Sequence, residues 1–115
     1  AGDGNDVVFG SSGNDVIAGG AGNDTLSGGS GHDVFVFAGG GGQDVVLDFH
    51  PGSDLLQIAQ NINGLSVTSA SDLADPISSV NGNTVIDLGN GDSVTLVGVN
   101  AQQVHDHPDS YIVVV

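Results

Sequence analysis

At 115 residues the chain has the length of one domain. Its fourteen acidic residues are all aspartate, and with no lysine or arginine the formal net charge is −14. That balance excludes nucleic acid and anionic membranes as partners, since both need Lys or Arg to neutralise phosphate. The absence of cysteine excludes disulfides and zinc–thiolate sites. No apolar run is long enough to span a bilayer.

The first thirty-six residues are one nine-residue phrase written four times: AGDGNDVVF, GSSGNDVIA, GGAGNDTLS and GGSGHDVFV. Asp6, Asp15, Asp24 and Asp33 fall nine apart, as do Val8, Ile17, Leu26 and Phe35, while Gly4, Gly13, Gly22 and Gly31 form a third column. A degraded fifth copy, GGGGQDVVL, follows an inserted Phe37-Ala38 and carries Asp44. Each phrase divides into a six-residue glycine-rich turn and a three-residue strand, with the eighth position inward and the seventh and ninth outward. Strands this short must stack to be stable. Outward positions then place Val7, Phe9, Thr25 and Ser27 on one sheet. Val16, Ala18, Val34 and Val36 lie on the other, which is apolar enough to require a cover.

With two phrases per turn of a flattened coil, residues eighteen apart stack at ~4.8 Å. Asp6 lies under Asp24, Asp24 under Asp44, and Asp15 under Asp33. Stacked carboxylates repel by roughly 1 kcal/mol in water and about 3–4 kcal/mol at an effective dielectric of 20. No basic side chain relieves this, so a cation belongs between the loops. Calcium suits the available oxygens, because it accepts 6–8 carboxylate and carbonyl ligands in flexible geometry. Zinc and copper favour nitrogen or sulfur, which the loops barely offer.

The register resembles the nonapeptide of the RTX (repeats-in-toxin) calcium-binding β-roll family, and the resemblance covers residue 1 to about residue 47. It implies an all-β fold: a parallel β-roll over residues 1–47, followed by a small antiparallel β cap over residues 48–115. It also implies several calcium ions. Their ligands would be Asp6, Asp15, Asp24, Asp33 and Asp44, with backbone carbonyls from Gly2, Gly4, Gly13, Gly20, Gly22, Gly29 and Gly31. Residues 44–60 read as two strands around Pro51-Gly52 and resemble the segment that closes such arrays, which makes Asp48 and Asp54 further candidate ligands. His50, in the same turn, reads as a solvated loop residue.

Beyond the array, Asn61–Gly64 reads as a turn and Ser71–Ala74 as the start of a short helical turn before Pro76. From Ile77 to Val99, β-branched runs separated by Asn81-Gly82-Asn83 and by Gly89–Asp92 read as a meander. Asp87 and Asp92 are expected at its surface. His105-Asp106-His107 reads as a polar turn before Pro108. No serine, cysteine or glutamate constellation accompanies it, so the chain itself is expected to be non-catalytic. The last residues, Asp109-Ser110 then Tyr111–Val115, resemble the acidic-then-apolar, uncleaved signal of RTX proteins exported by type I secretion; a plain final strand is the other reading. The terminus supplies no carboxylate to the loops, so its removal is expected to spare ion binding.

The resemblance therefore implies the C-terminal part of a larger extracellular protein of a Gram-negative bacterium. Its partners would be calcium, a type I secretion transporter and an upstream domain such as a protease, lipase or epimerase. The domain would fold on calcium after export. The alternative is an adhesion or carbohydrate-binding module, for which Phe9, Phe37 and Tyr111 are the candidate aromatic platform.

Overall fold

The computed structural model describes residues 4–37, 42–50, 53–60, 77–89, 91–107 and 110–114. Successive repeat strands alternate between two sheets, as an apolar column nine residues apart demands when two repeats complete one turn. Strands β1 (Val7–Phe9), β3 (Thr25–Ser27) and β5 (Gln43–Val46) enter one sheet. Strands β2 (Val16–Ala18), β4 (Val34–Phe37) and β6 (Leu55–Ile58) enter the other. Every pair within these two sets is parallel. Val7 pairs with Thr25 and Val16 with Val34, eighteen residues apart. The insertion lengthens the next step: Thr25 pairs with Val45 and Val34 with Leu55. The loops absorb the extra residues, so the strands keep their inward column.

That column is the core. Leu26, Phe35, Val46 and Leu56 are fully buried and Ile17 nearly so, with Val8 packed against them at the open end. Outside, Val7, Phe9 and Val16 are exposed, Val16 by 73%. Ala18 is also exposed, while Val34 and Val36 are half-buried.

The strands of residues 44–60 enter opposite sheets, so this segment adds a further half-turn to the roll. The meander is present: β7 (Ile77–Val80), β8 (Asn83–Gly89) and β9 (Asp92–Leu96) pair antiparallel. Its first turn has positive φ at both Asn81 (53°) and Gly82 (82°), the pattern that joins twisted strands through two residues. β9 also pairs parallel with β5, Asp44 opposite Val94, which fuses the meander to the roll in one six-stranded sheet. The expected turn at 61–64 and helical turn at 71–74 lie outside the described residues.

One expectation is corrected near the end of the chain. His105 and Asp106 belong to a helix, α1 (Ala101–Asp106), and not to a turn. Asn100 caps it, its Oδ1 accepting from the Gln103 N–H at 3.2 Å, and Val104 is its single buried anchor. One anchor cannot show a helical period, which is why no helical pattern is visible in the sequence there. At the terminus the structure has the final strand that was the other reading of it. Strand β10 (Ile112–Val114) pairs parallel with β6, Ile112 opposite Leu56, and completes the four-stranded sheet. Tyr111 and Ile112 are buried, and the Tyr111 ring stacks on Phe49 at 6.1 Å, which in turn meets Phe35 at 6.3 Å. The terminus is thus packed in the core, in the same sheet as β2, β4 and β6.

Candidate metal centre

The turns between strands stack along the two edges of the roll, and two side-chain ladders bolt them together. In one, each aspartate reaches the backbone of the layer before it. Asp24 Oδ1 accepts from Asp6 N at 2.8 Å, and Asp44 Oδ1 from Asp24 N at 2.9 Å. On the other edge Asp33 Oδ1 accepts from Asp15 N, and Asp54 Oδ1 from Asp33 N, both at 2.9 Å. The second ladder runs in the opposite sense. Asn5, Asn14 and Asn23 each accept, through Oδ1, from the backbone N–H of the residue one layer later: Asn23, His32 and Gln43. The asparagine column is plain in the sequence at the fifth position of the first three repeats; its role as an acceptor only emerges once layers stack.

Among the repeat aspartates, the first ladder engages one oxygen each of Asp24, Asp33 and Asp44, and it takes only the backbone N–H of Asp6 and Asp15. Oδ2 of Asp6, Asp15, Asp24 and Asp33 is buried with no hydrogen-bond partner, and Asp24 and Asp33 as residues are each 1% exposed. An ionised carboxylate is acceptor-only, so burying an unpaired oxygen is costly unless a donor or cation meets it. The free oxygens lie against glycine backbone. A Cβ built on Gly10 would stand 2.6 Å from Asp15 Oδ2 and 2.9 Å from the Gly28 carbonyl oxygen, and one on Gly28 would strike Asp33 Oδ2. The first position of the repeat is therefore a cradle that any side chain would fill.

The fourth position is glycine for a different reason. Gly31 has φ of 98°, and its Cα faces the carbonyl of Gly13 so closely that a Cβ would strike it. Gly22 meets the Gly4 carbonyl and Gly29 the Ser11 carbonyl in the same way. Among the proposed carbonyl donors, Gly4, Gly13, Gly20, Gly22, Gly29 and Gly31 all have positive φ; Gly2 lies outside the described residues. Ser11 departs from the pattern. It holds φ of 76° where Gly20 and Gly29 stand in neighbouring repeats, a left-handed conformation that costs a side-chain-bearing residue energy.

The donor set is entirely oxygen, and among the described residues no three carboxylate or imidazole groups converge on one point. A cation here must draw on backbone carbonyls as much as on carboxylates, which calcium does and zinc does not. The residues thus fit calcium. Bound there, it would supply the positive charge that the orphaned oxygens lack.

Electrostatics at the next layer agree. Burial pushes the Asp44 carboxyl up to about 6, and the charges of Asp24 and Asp92 push the same way against the Asp24 N–H. Asp92, expected at the surface, is in fact 7% exposed, and its Oδ1 accepts from Gly42 N at 2.9 Å. It enters the Asp6–Asp24–Asp44 column from the meander because β9 lies beside β5; Asp87 is exposed as expected. Asp48 and Asp54 behave differently from the repeat aspartates. Asp48 accepts from Gly28 N, Gly29 N and the Ser27 hydroxyl at 2.8–2.9 Å. Burial opposes its ionisation, but those three donors and nearby His50 outweigh it and hold the carboxyl below the usual range. His50 is exposed, with Nδ1 3.4 Å from Asp54 Oδ2. His105 and His107 are exposed as well.

Comparison with known proteins places the array. Residues 1–35 match the RTX calcium-binding nonapeptide repeat, in four copies. Residues 1–35 are RTX repeats. The RTX array and all that follows it share a fold with part of the extracellular lipase LipA from Serratia marcescens, at a TM-score of 0.69 and 27% identity. That likeness covers 100% of this chain and 20% of the lipase, so the chain spans about a fifth of that protein. No curated protein matches the chain in sequence.

Proposed function

We propose that the chain is the calcium-responsive module of an exported protein, unfolded where calcium is scarce and folded where it is abundant. The observation that carries this reading is the set of four buried Oδ2 atoms without donors in a chain without lysine or arginine. Without the ion those carboxylates oppose packing. With it, the binding free energy becomes folding free energy, because the stacked loops exist only in the folded chain. The ions would be held by Asp6 with Asp24, Asp24 with Asp44, and Asp15 with Asp33, together with the glycine carbonyls. Residues 1–47 would thus carry the ions and residues 48–115 would close the roll.

The likeness to a fifth of an extracellular lipase supports a larger secreted parent, with an activity carried outside this segment. Export through a type I transporter, using the Asp109–Val115 terminus as signal, belongs to the same proposal. The terminal strand can serve both ends in sequence: it is a tag while the chain is unfolded and β10 once it folds. The adhesive alternative loses support, since Phe37 and Tyr111 are buried and only Phe9 of the three candidate aromatics is exposed. Calorimetric titration tests the core of the proposal. Calcium should bind the full chain at several sites, and magnesium at the same concentration should bind far more weakly. Equal heats from both ions, or none from calcium, would defeat it.

A further inference from the structure

Apart from Asp44, the candidate carboxylates fall into two chemical classes. In Asp6, Asp15, Asp24 and Asp33 one oxygen binds no donor. In Asp48 and Asp54 both oxygens are taken by the chain itself. Asp48 Oδ1 accepts from Gly28 N at 2.9 Å, and its Oδ2 accepts from Gly29 N and Ser27 Oγ, each at 2.8 Å. Asp54 Oδ1 accepts from Asp33 N and its Oδ2 from His50 N, each at 2.9 Å, with the His50 ring close to the same oxygen. We propose that Asp48 and Asp54 are positioning residues, which hold the Gly28–Asp33 loop in its ion-binding shape, and are not calcium ligands. The proposal rests on the calcium reading above and refines it.

The placement supports the role. Gly28 and Gly29 open the loop and Asp33 closes it, so the two carboxylates grip its backbone at both ends. The gripped atoms line the ion's place: the free Asp33 Oδ2 lies against the Gly28 α-carbon, where a Cβ would collide with it. Moving Gly28 therefore moves one wall of the Asp15–Asp33 site. To present a donor-free oxygen to calcium, as the repeat aspartates do, either Asp48 or Asp54 would have to release a backbone N–H that it now holds, and leaving a buried N–H unpaired is unfavourable. In the repeats the same loop start is held by backbone, Gly10 N donating to the Ser27 carbonyl, whereas one turn later Gly28 N finds the Asp48 side chain. Where the repeat pattern ends, a carboxylate takes over the work of a strand carbonyl.

The test compares calcium and terbium binding by the full chain with that of Asp33→Asn, Asp48→Asn and Asp54→Asn. Calorimetry counts calcium ions. Terbium luminescence decay in water and heavy water counts solvent molecules on the bound ion. Asp33→Asn, which removes a ligand, should lose an ion or add about one coordinated water. Asp48→Asn and Asp54→Asn should keep the wild-type ion and water counts, weakening the Asp15–Asp33 site about tenfold while sparing the Asp6–Asp24 site. An ion lost or a water gained in either positioning variant would overturn the proposal. Should a variant fail to fold, a crystal structure of the calcium-loaded wild-type chain decides. Asp48 and Asp54 oxygens should lie beyond the ~2.3–2.6 Å ligand distance of every ion, and ligation by either refutes the assignment. A wild-type chain that binds no calcium overturns the calcium reading and this refinement with it, a result distinct from a ligating Asp48.

Discussion

Deleting Tyr111–Val115 tests how far the end of the chain is coupled to the ion loops. The deletion removes β10 from its pairing with β6, along with the buried Ile112 (2% exposed) and the Tyr111 ring stacked on Phe49. Burial of an isoleucine and a tyrosine side chain contributes about 4 kcal/mol together at roughly 25 cal/mol per Å². Leu56 and Phe49 would be uncovered as well, so about 4–6 kcal/mol is expected in all. β6 begins at Leu55, directly after Asp54, whose carboxylate holds the Asp33 N–H, so the loss reaches the second ion column. If folding is linked to the three proposed ion pairs, a loss of about 4 kcal/mol spread over them raises the calcium midpoint roughly tenfold, at about 1.4 kcal/mol per decade per ion. Far-UV circular dichroism against free calcium measures that midpoint directly. A truncated chain that folds at the wild-type calcium concentration would refute the coupling and restore the terminus as a detachable tag.

Other expectations follow from the ladders. Asp24→Asn should cost more calcium affinity than Asp6→Asn, because Asp24 stands between Asp6 and Asp44 while Asp6 is half-exposed at the open end; calorimetry showing equal losses would argue against the Asp24–Asp44 pair. Burial raises the Asp44 carboxyl to about 6, so protons should compete with calcium at this layer. The calcium midpoint should therefore rise as pH falls from 7 through 6, and Asp44→Asn should weaken that pH dependence in circular-dichroism titrations. Ser11→Gly should stabilise the calcium-loaded chain by up to about 1 kcal/mol by relieving a left-handed serine, read as a rise in melting temperature.

Much of the roll is legible in the sequence because its information is local and repeated. The nine-residue register by itself puts Leu26 and Phe35 in the core and pairs Val7 with Thr25, and the fold has them there. It also places the aspartates in columns. What the sequence conceals is non-local. Asp92 joins the Asp44 column through pairing of strands almost fifty residues apart, with no repeat to mark it. β6 and β10 join the parallel sheet at steps that depart from eighteen, so periodicity cannot register them. The distinction between orphaned and satisfied carboxylates is likewise invisible in a string where Asp33 and Asp48 are the same letter. It depends on which backbone N–H each side chain meets.

The most direct test of the central claim is the far-UV circular dichroism spectrum of the intact chain in EGTA and in millimolar calcium. The four donorless carboxylate oxygens predict that residues 1–50 lack stable β structure in EGTA. Calcium should restore a β spectrum in a cooperative transition, and magnesium at the same concentration should not. A β spectrum that is the same in EGTA as in calcium would contradict the account, because the stacked aspartates would then have folded without the cation they require.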